Sequence, residues 1–329
     1  MPTNLPPEYF KADERFRAAR TTEEKIASLE ELYGTIPKHK GTDKLRADVR
    51  RRLAKLKSES QTKKQAAKHE SAFHIEREGA GQAALVGPPN AGKSSLVAKL
   101  THAKPEIAEF PFTTWAPVPG MMPIDDIQVQ LIDTPPLQRG HLESGLVDLM
   151  RCADLLLVVV DASASPLRAF EETVAILGEH KIAPRPGTEI RQSPSPVKEL
   201  PALVLANKSD DEGNDADVAA FQAGVGNEWT VLPVSAITGR NLDRLKTRVY
   251  DALGIVRVYS KPPGKKPDNA SPFVLKKGGT VADLAAKVHR DFLEKRISAR
   301  LWGGGVHDGQ LVGRDHVLQE GDVVELKIG

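Results

Sequence analysis

The run GPPNAGKS, Gly87 to Ser94, restricts this chain more than any other feature. It fits G-x-x-x-x-G-K-[ST], it follows the apolar run AALVG (83–87), and a helical stretch, Ser95 to Leu100, begins directly after it. In that strand–loop–helix setting the pattern is a phosphate-binding loop. Gly87 and Gly92 permit backbone angles that turn successive N–H groups toward phosphate oxygens. The following helix adds its N-terminal dipole. Lys93 is expected to reach the β- and γ-phosphates and Ser94 to bind magnesium. Gly87, Pro88, Pro89, Asn90, Ala91, Gly92, Lys93, Ser94 and Ser95 are thus the expected phosphate-binding residues.

The surroundings suit such a loop. From about Gly79 to Leu253, apolar runs alternate with helical stretches, which implies an α/β domain. VQLID (129–133), LLLVVVDA (155–162), ALVLAN (202–207) and TVLPVSA (230–236) read as further strands, apolar enough to be buried on both faces of a mostly parallel sheet. RPGTEIRQSPSPVKELP (185–201) reads as an exposed, proline-rich insert. Residues 1–78 are polar and helix-prone, in three pieces. Thr21-Thr22-Glu23-Glu24 has the form of a helix start, and Ile26, Leu29, Leu32 and Tyr33 follow at helical spacing. Pro37 to Thr42 breaks that helix. Leu45, Val49, Leu53 and Leu56 form a narrow apolar stripe on a third helix otherwise covered by Lys and Arg through Lys68. After GIVRVYSKPPGKKPDNASP (254–272), a basic connector, the remainder reads as a small β-rich domain with one helix, Val281 to Leu293. The expected division is therefore 1–78, 79–253 and 254–329.

Composition excludes some classes. The formal net charge is +2, so no whole-chain charge argument applies, although the charge is unevenly distributed. One cysteine, Cys152, allows no intramolecular disulfide and is expected as a buried small hydrophobe at a helix end. No window approaches the ~18 apolar residues of a membrane span, and the start lacks a signal pattern, so a cytoplasmic protein is expected. His289, His307 and His316 show no metal-ligand spacing.

The base is read from NKSD, Asn207 to Asp210, at the end of an apolar strand. A carboxylate at the base edge accepts from both N1–H and the exocyclic amine of guanine. Adenine offers neither donor there, so Asp210 selects guanine over adenine and disfavours an ATPase. Asn207 is expected to tie this loop to the phosphate loop, and the Lys208 stem to cover the base. In SAITG, Ser235 to Gly239, the Ala236 N–H is placed to meet guanine O6. Between the two motifs lie the switch candidates. Thr114, with Thr113 as the alternative, is a candidate magnesium ligand in the presence of the γ-phosphate. Asp133 would hold a magnesium-bound water. The motif LIDTPPLQRG (131–140) then departs from Asp-x-x-Gly, because Pro136 has no N–H to offer the γ-phosphate. Leu137 stands where switch GTPases often place a water-orienting glutamine; Gln138 and His141 are weaker candidates for that role.

GPPNAGKSSLVAKLT, FPFTTWAPVPG, NKSD and VSAITG together resemble the Obg-related GTPases, in particular the developmentally regulated branch. The C-terminal region resembles that branch's TGS domain, a ubiquitin-like β-grasp module, and IPKHKGTDKLRADVRRRLAKLK resembles its leading helical segment. The resemblance covers nearly the whole chain. It implies GTP hydrolysis with Mg2+, and association with the ribosome or other translation RNA. It also makes Asn90 a potassium-ligand candidate beside the β- and γ-phosphates, so Lys93, Thr114 and Asn90 are the expected catalytic groups. Two departures stand out: Asp-Thr-Pro-Pro replaces the family's Asp-x-Pro-Gly, and little room remains between Asp133 and Asn207 for the extra subdomain that the family often carries. A basic N-terminal helix and KPPGKK suit RNA phosphates. A regulatory protein partner is also expected. The competing reading is a nucleotide-loaded scaffold that joins RNA or protein with negligible hydrolysis.

Overall fold

The structure, a computed structural model, describes residues 6–19, 21–38, 41–101, 116–140, 142–187, 196–264, 271–288, 297–304 and 307–328; for 59–72, 214, 297, 327 and 328 only the backbone is described. The chain forms two compact units, Met1–Ala72 and Phe73–Gly329.

The first unit is helical: α1 (Pro7–Ala18), α2 (Thr22–Thr35) and α3 (Asp43–Ala72). A reciprocal cap opens α2. The Thr21 hydroxyl accepts from the Glu24 N–H at 3.2 Å, and the Glu24 carboxylate accepts from the Thr21 N–H at 3.1 Å. Ala12, Leu29, Leu32, Ile36 and Val49 form its core, with Leu45, Leu53 and Leu56 half-buried against them.

The second unit begins with an α/β region: β1 (Gln82–Val86), α4 (Lys93–Thr101), β2 (Val118–Ile124), β3 (Ile127–Asp133), α5 (Ser144–Cys152), β4 (Leu155–Asp161), α6 (Pro166–Glu179), β5 (Ile182–Pro186), β6 (Lys198–Asn207), α7 (Asp215–Val225), β7 (Val231–Pro233) and α8 (Leu242–Leu253). The sheet order is β2-β3-β1-β4-β6-β5, with β7 also paired to β6; only β2 runs antiparallel to its neighbour. Side chains alternate between two cores. In β4, Leu155, Leu157 and Val159 face one and Leu156, Val158 and Val160 the other.

Two strands, β2 and β5, are absent from the sequence expectation, and both carry prolines: Pro119 and Pro123, Pro184 and Pro186. Both lie at sheet edges, where a missing ladder N–H is tolerated. The expected insert 185–201 is therefore partly strand: Pro186 ends β5 and Lys198 opens β6, while 188–195 lie outside the described residues. Cys152 does close a helix, but its side chain is exposed rather than buried.

The rest of this unit is a second sheet: β8 (Ile255–Ser260), β9 (Phe273–Lys276), β10 (Ile297–Trp302), β11 (Gln310–Gly313) and β12 (Asp322–Ile328), in the order β11-β10-β12-β8-β9, with α9 (Val281–Val288) packed on it. Its parallel pair, β8 with β12, joins antiparallel neighbours, a β-grasp arrangement. The expected connector 254–272 thus starts as strand β8; its Val256 and Val258 are core residues. Of the expected helix Val281 to Leu293, residues 289–293 lie outside the described set. Trp302 is half-buried, with the Lys261 ammonium 4.2 Å from its ring centroid.

The two sheets are joined by polar contacts. Arg257 of β8 reaches the β2–β3 turn, at 3.1 Å from Asp125 and 2.7 Å from Asp126, and also holds Glu320 at 2.7 Å. Tyr259 donates to Asp126 at 2.6 Å and Tyr250 to Glu320 at 2.5 Å. Asp154, just before β4, takes Arg77, Lys276 and the Gln82 N–H. Arg257→Met would leave three carboxylates without their shared cation. It is expected to cost about 2 kcal/mol of stability and to speed amide exchange across Ile124 to Val129. Unchanged unfolding and exchange would contradict the clamp.

Candidate functional site

The parallel strands β1, β3, β4 and β6 end at one edge of their sheet, where open α/β folds bind ligands. The loops that leave this edge carry the motifs. β1 runs into Gly87, whose φ of +152° and close approach to Val159 leave no room: a Cβ there would lie 2.2 Å from the Val159 carbonyl oxygen. Asn90 holds φ +60° and is exposed. Ala91 is buried, Pro88 half-buried, and Pro89, Ser94 and Ser95 exposed.

Lys93 opens α4 and is buried, with Nζ donating to the carbonyls of Gly87 at 3.1 Å and Pro88 at 3.0 Å. Burial lowers its pKa to about 8, against an opposing pull from Asp133. Asp133 ends β3. Burial raises its pKa, opposed by a hydrogen bond from Ser94 and by the Lys93 charge. Its buried Oδ1 has no hydrogen-bond partner among the described residues. An orphaned carboxylate oxygen beside a serine hydroxyl is a hard oxygen donor pair that fits Mg2+.

The base-side loop is tied to the phosphate loop. The buried Asn207 donates from Nδ2 to the Ala91 carbonyl at 2.8 Å. Gly92, at φ +87°, makes room for it: a Cβ would lie 2.2 Å from that nitrogen. Lys208, at φ +64°, extends to Asp161 at 2.5 Å. Asp210 is exposed and accepts from the Ser235 hydroxyl at 2.6 Å. Ser235 Oγ in turn accepts from the N–H groups of Ile237 and Thr238. Ala236 packs half-buried against one core. Asn207, Lys208, Asp210, Ser235 and Ala236 are thus gathered on adjoining loops.

Three contributors escaped the sequence reading. Asp161 ends β4 and anchors Lys208; burial raises its pKa, but hydrogen bonds from Lys208 and Ser163 hold it below the ordinary carboxylate range. Its only sequence signal is a lone acid closing an apolar run. Arg240 braces the NKSD loop, donating to the Asp211 carbonyl at 2.5 Å and the Asp215 carboxylate at 2.7 Å. Thr134 is buried and donates to the Leu85 carbonyl at 2.5 Å. Beyond it, Pro136 and Gln138 are exposed, whereas Leu137 is buried and its N–H donates to the Gly87 carbonyl at 3.1 Å. Thr113, Thr114 and His141 lie outside the described residues. No group of three or more His, Cys, Asp or Glu side chains is placed to hold a metal among the described residues. No helix among them is long and apolar enough to cross a membrane.

Fold and site define a P-loop nucleotide-binding domain followed by a β-grasp domain. Residues 82–186 match the family described as 50S ribosome-binding GTPase, and 256–328 match the TGS domain. The chain is 31% identical to a GTP-binding protein of Methanocaldococcus jannaschii, over 93% of each chain. It is 28% identical to developmentally-regulated G-protein 1 of Arabidopsis thaliana (92% of this chain, 90% of that one). It is 26% identical to ribosome-interacting GTPase 1 of Saccharomyces cerevisiae (93% and 99%). The chain belongs to this family of developmentally regulated, Obg-related GTP-binding proteins with a TGS domain. The alignment with the archaeal relative runs to 366 positions, more than the 329 residues here, so that relative carries inserted segments. Among solved structures, the YchF GTPase of Schizosaccharomyces pombe shares the fold, with a TM-score of 0.52 at 14% identity over 77% of this chain and 99% of that one.

The Lys93 environment has a measurable consequence. Phosphates restore its charge, so nucleotide binding takes up protons where the unliganded lysine is partly neutral. Titration of GDP by calorimetry in buffers of different ionisation enthalpy, with Mg2+ in excess, is expected to show little uptake at pH 6.5 and about half a proton at pH 8. Equal uptake at both values would refute this.

Proposed function

We propose that this protein binds GTP and hydrolyses it slowly to GDP and phosphate, acting with the ribosome or translation RNA. The observation that carries the reading is the joint placement of the phosphate loop, Asp133 and the NKSD loop, held together by the Asn207 hydrogen bond to Ala91. Ser94 and Asp133, the latter through water, would hold Mg2+, with Thr114 as the further ligand. When bound, the ion would neutralise charge on the β- and γ-phosphates. Lys93 would leave the Gly87 and Pro88 carbonyls for the phosphates. The main-chain N–H groups of Asn90 to Ser95 would orient them, and Asp210, steadied by Ser235, would take the guanine edge. Asn90 would supply a side-chain oxygen for K+, which would do the electrostatic work of an arginine finger.

The second switch works differently in this reading. Pro135 and Pro136 have no N–H, and the next one, on Leu137, is committed to Gly87. A missing charge-assisted bond to the γ-phosphate costs on the order of 1.5–3 kcal/mol, roughly a ten- to hundredfold loss of preference for GTP over GDP. The ribosomal link rests on what the family description and the yeast relative's name state of those proteins. The same committed N–H supports a second reading, a nucleotide-loaded scaffold with negligible turnover and a regulatory protein partner.

The test is GTP turnover by the purified chain with Mg2+, in KCl and in matched NaCl. Turnover is expected, and faster in potassium. Equal rates would remove the role of Asn90, and no turnover with GDP still bound would favour the scaffold. For the switch, Pro136→Gly is expected to raise the affinity ratio of a non-hydrolysable GTP analogue over GDP by roughly tenfold or more; an unchanged ratio would sink that idea.

A further inference from the structure

Net charge hides a strong segregation. Residues 1–72 carry seventeen Lys and Arg against eleven Asp and Glu, while the rest of the chain carries twenty-nine against thirty-three. Within 43–57, the described start of α3, seven cations face two carboxylates. Positions 43, 46, 47, 50 and 54 recur at helical spacing and share one face of α3. Together with Tyr33 of α2 and Arg51, they line an open groove of about 480 Å3.

The groove is built for anions along most of its length. Arg46 is fixed: its guanidinium lies 4.4 Å from the Tyr33 ring centroid and donates to the Ile36 carbonyl at 2.7 Å. Other cations nearby are already committed, Arg52 to Asp48 at 2.9 Å and Lys57 to Glu30 at 2.6 Å. Arg50 and Arg51 are exposed and have no carboxylate partner among the described residues. Ala47 and Ala54 keep the floor low beside them. Asp43, the one carboxylate among the described lining residues, stands about two turns before Arg50.

We infer that this groove is a contact site for the phosphodiester backbone of double-stranded RNA, read by shape and charge and not by sequence. The inference rests on the translation-RNA reading above for the choice of RNA. Two observations separate it from a protein partner and from single strands. Among the described residues, the groove offers no large apolar side chain to anchor a protein interface. The one aromatic ring among its described lining residues, Tyr33, is already covered by Arg46, so no base can stack on it. Guanidiniums along a helix face suit successive phosphates, and contacts of this kind position a duplex without specifying bases.

The experiment uses the full chain loaded with GDP and a fluorescent RNA duplex of roughly 20 base pairs, longer than the ~16 that a double-stranded-RNA module spans. Arg50→Glu with Arg51→Glu is compared with Arg244→Glu with Arg248→Glu, an equal charge change on exposed positions of α8. The α3 variant is expected to bind roughly tenfold or more weaker. Its dependence on salt is expected to be shallower, by about 0.9 in the log–log slope for each phosphate it no longer neutralises, while the α8 variant keeps the wild-type affinity. Circular dichroism and GDP affinity, unchanged in both, verify folding. Equal weakening in the two variants, or none in the α3 variant, would overturn the proposal. So would polyglutamate competing as well as RNA, which would assign the groove to an acidic protein. Ribosome pelleting by the wild type is scored separately: its failure alongside groove-dependent duplex binding would strike the ribosomal reading and leave this site standing.

Discussion

The carbonyl oxygen of Gly87 is the point on which the phosphate side of this site depends. It accepts from the Lys93 ammonium and from the Leu137 N–H, each at 3.1 Å. One residue therefore joins the phosphate loop, its lysine and the segment after Asp133. That residue has to be glycine, because its φ is positive and Val159 fills the space a Cβ would need. Lys93 is replaceable in this arrangement, since phosphates compete for it. Leu137 is not: its side chain lies in the core with Leu146 and Met150, and the two residues before it are prolines without an N–H.

The base side repeats the principle with side chains. Asn207 reaches across to Ala91, so the loop that would select guanine and the loop that would hold phosphates share one buried hydrogen bond. Removing either partner leaves a buried polar group unsatisfied, at about 1–3 kcal/mol. Ser235 and Arg240 then hold Asp210 and its neighbours from the next loop. The end of β3 opposite Asp133 carries the clamp of Arg257 on Asp125 and Asp126. That turn joins β2 to β3, and β3 ends at Asp133, so the β-grasp sheet grips the strand that delivers the magnesium candidate.

Much of this was legible in the sequence, for reasons particular residues make plain. Runs such as LLLVVVDA announce strands buried on both faces, because no polar residue interrupts them. GPPNAGKS and NKSD are legible because their spacing is imposed by a ligand rather than by packing. The prolines of β2 and β5 conceal strands that only an edge position can accommodate. The burial of Leu137 was equally hidden, since a lone leucine in a polar loop gives no sign of the core it enters. Asp161 and Arg240 act through partners 47 and 29 residues away, distances at which no local pattern operates.

The central claim is that the second switch is a fixed strut, anchored at Gly87, and does not follow the γ-phosphate. Amide hydrogen exchange at Leu137 tests it directly, in the unliganded protein, with GDP and with a non-hydrolysable GTP analogue, each with Mg2+. The account predicts strong and equal protection in all three states. Exchange at Leu137 that becomes fast with the GTP analogue and slow with GDP would show a segment that moves with the nucleotide, and would contradict it.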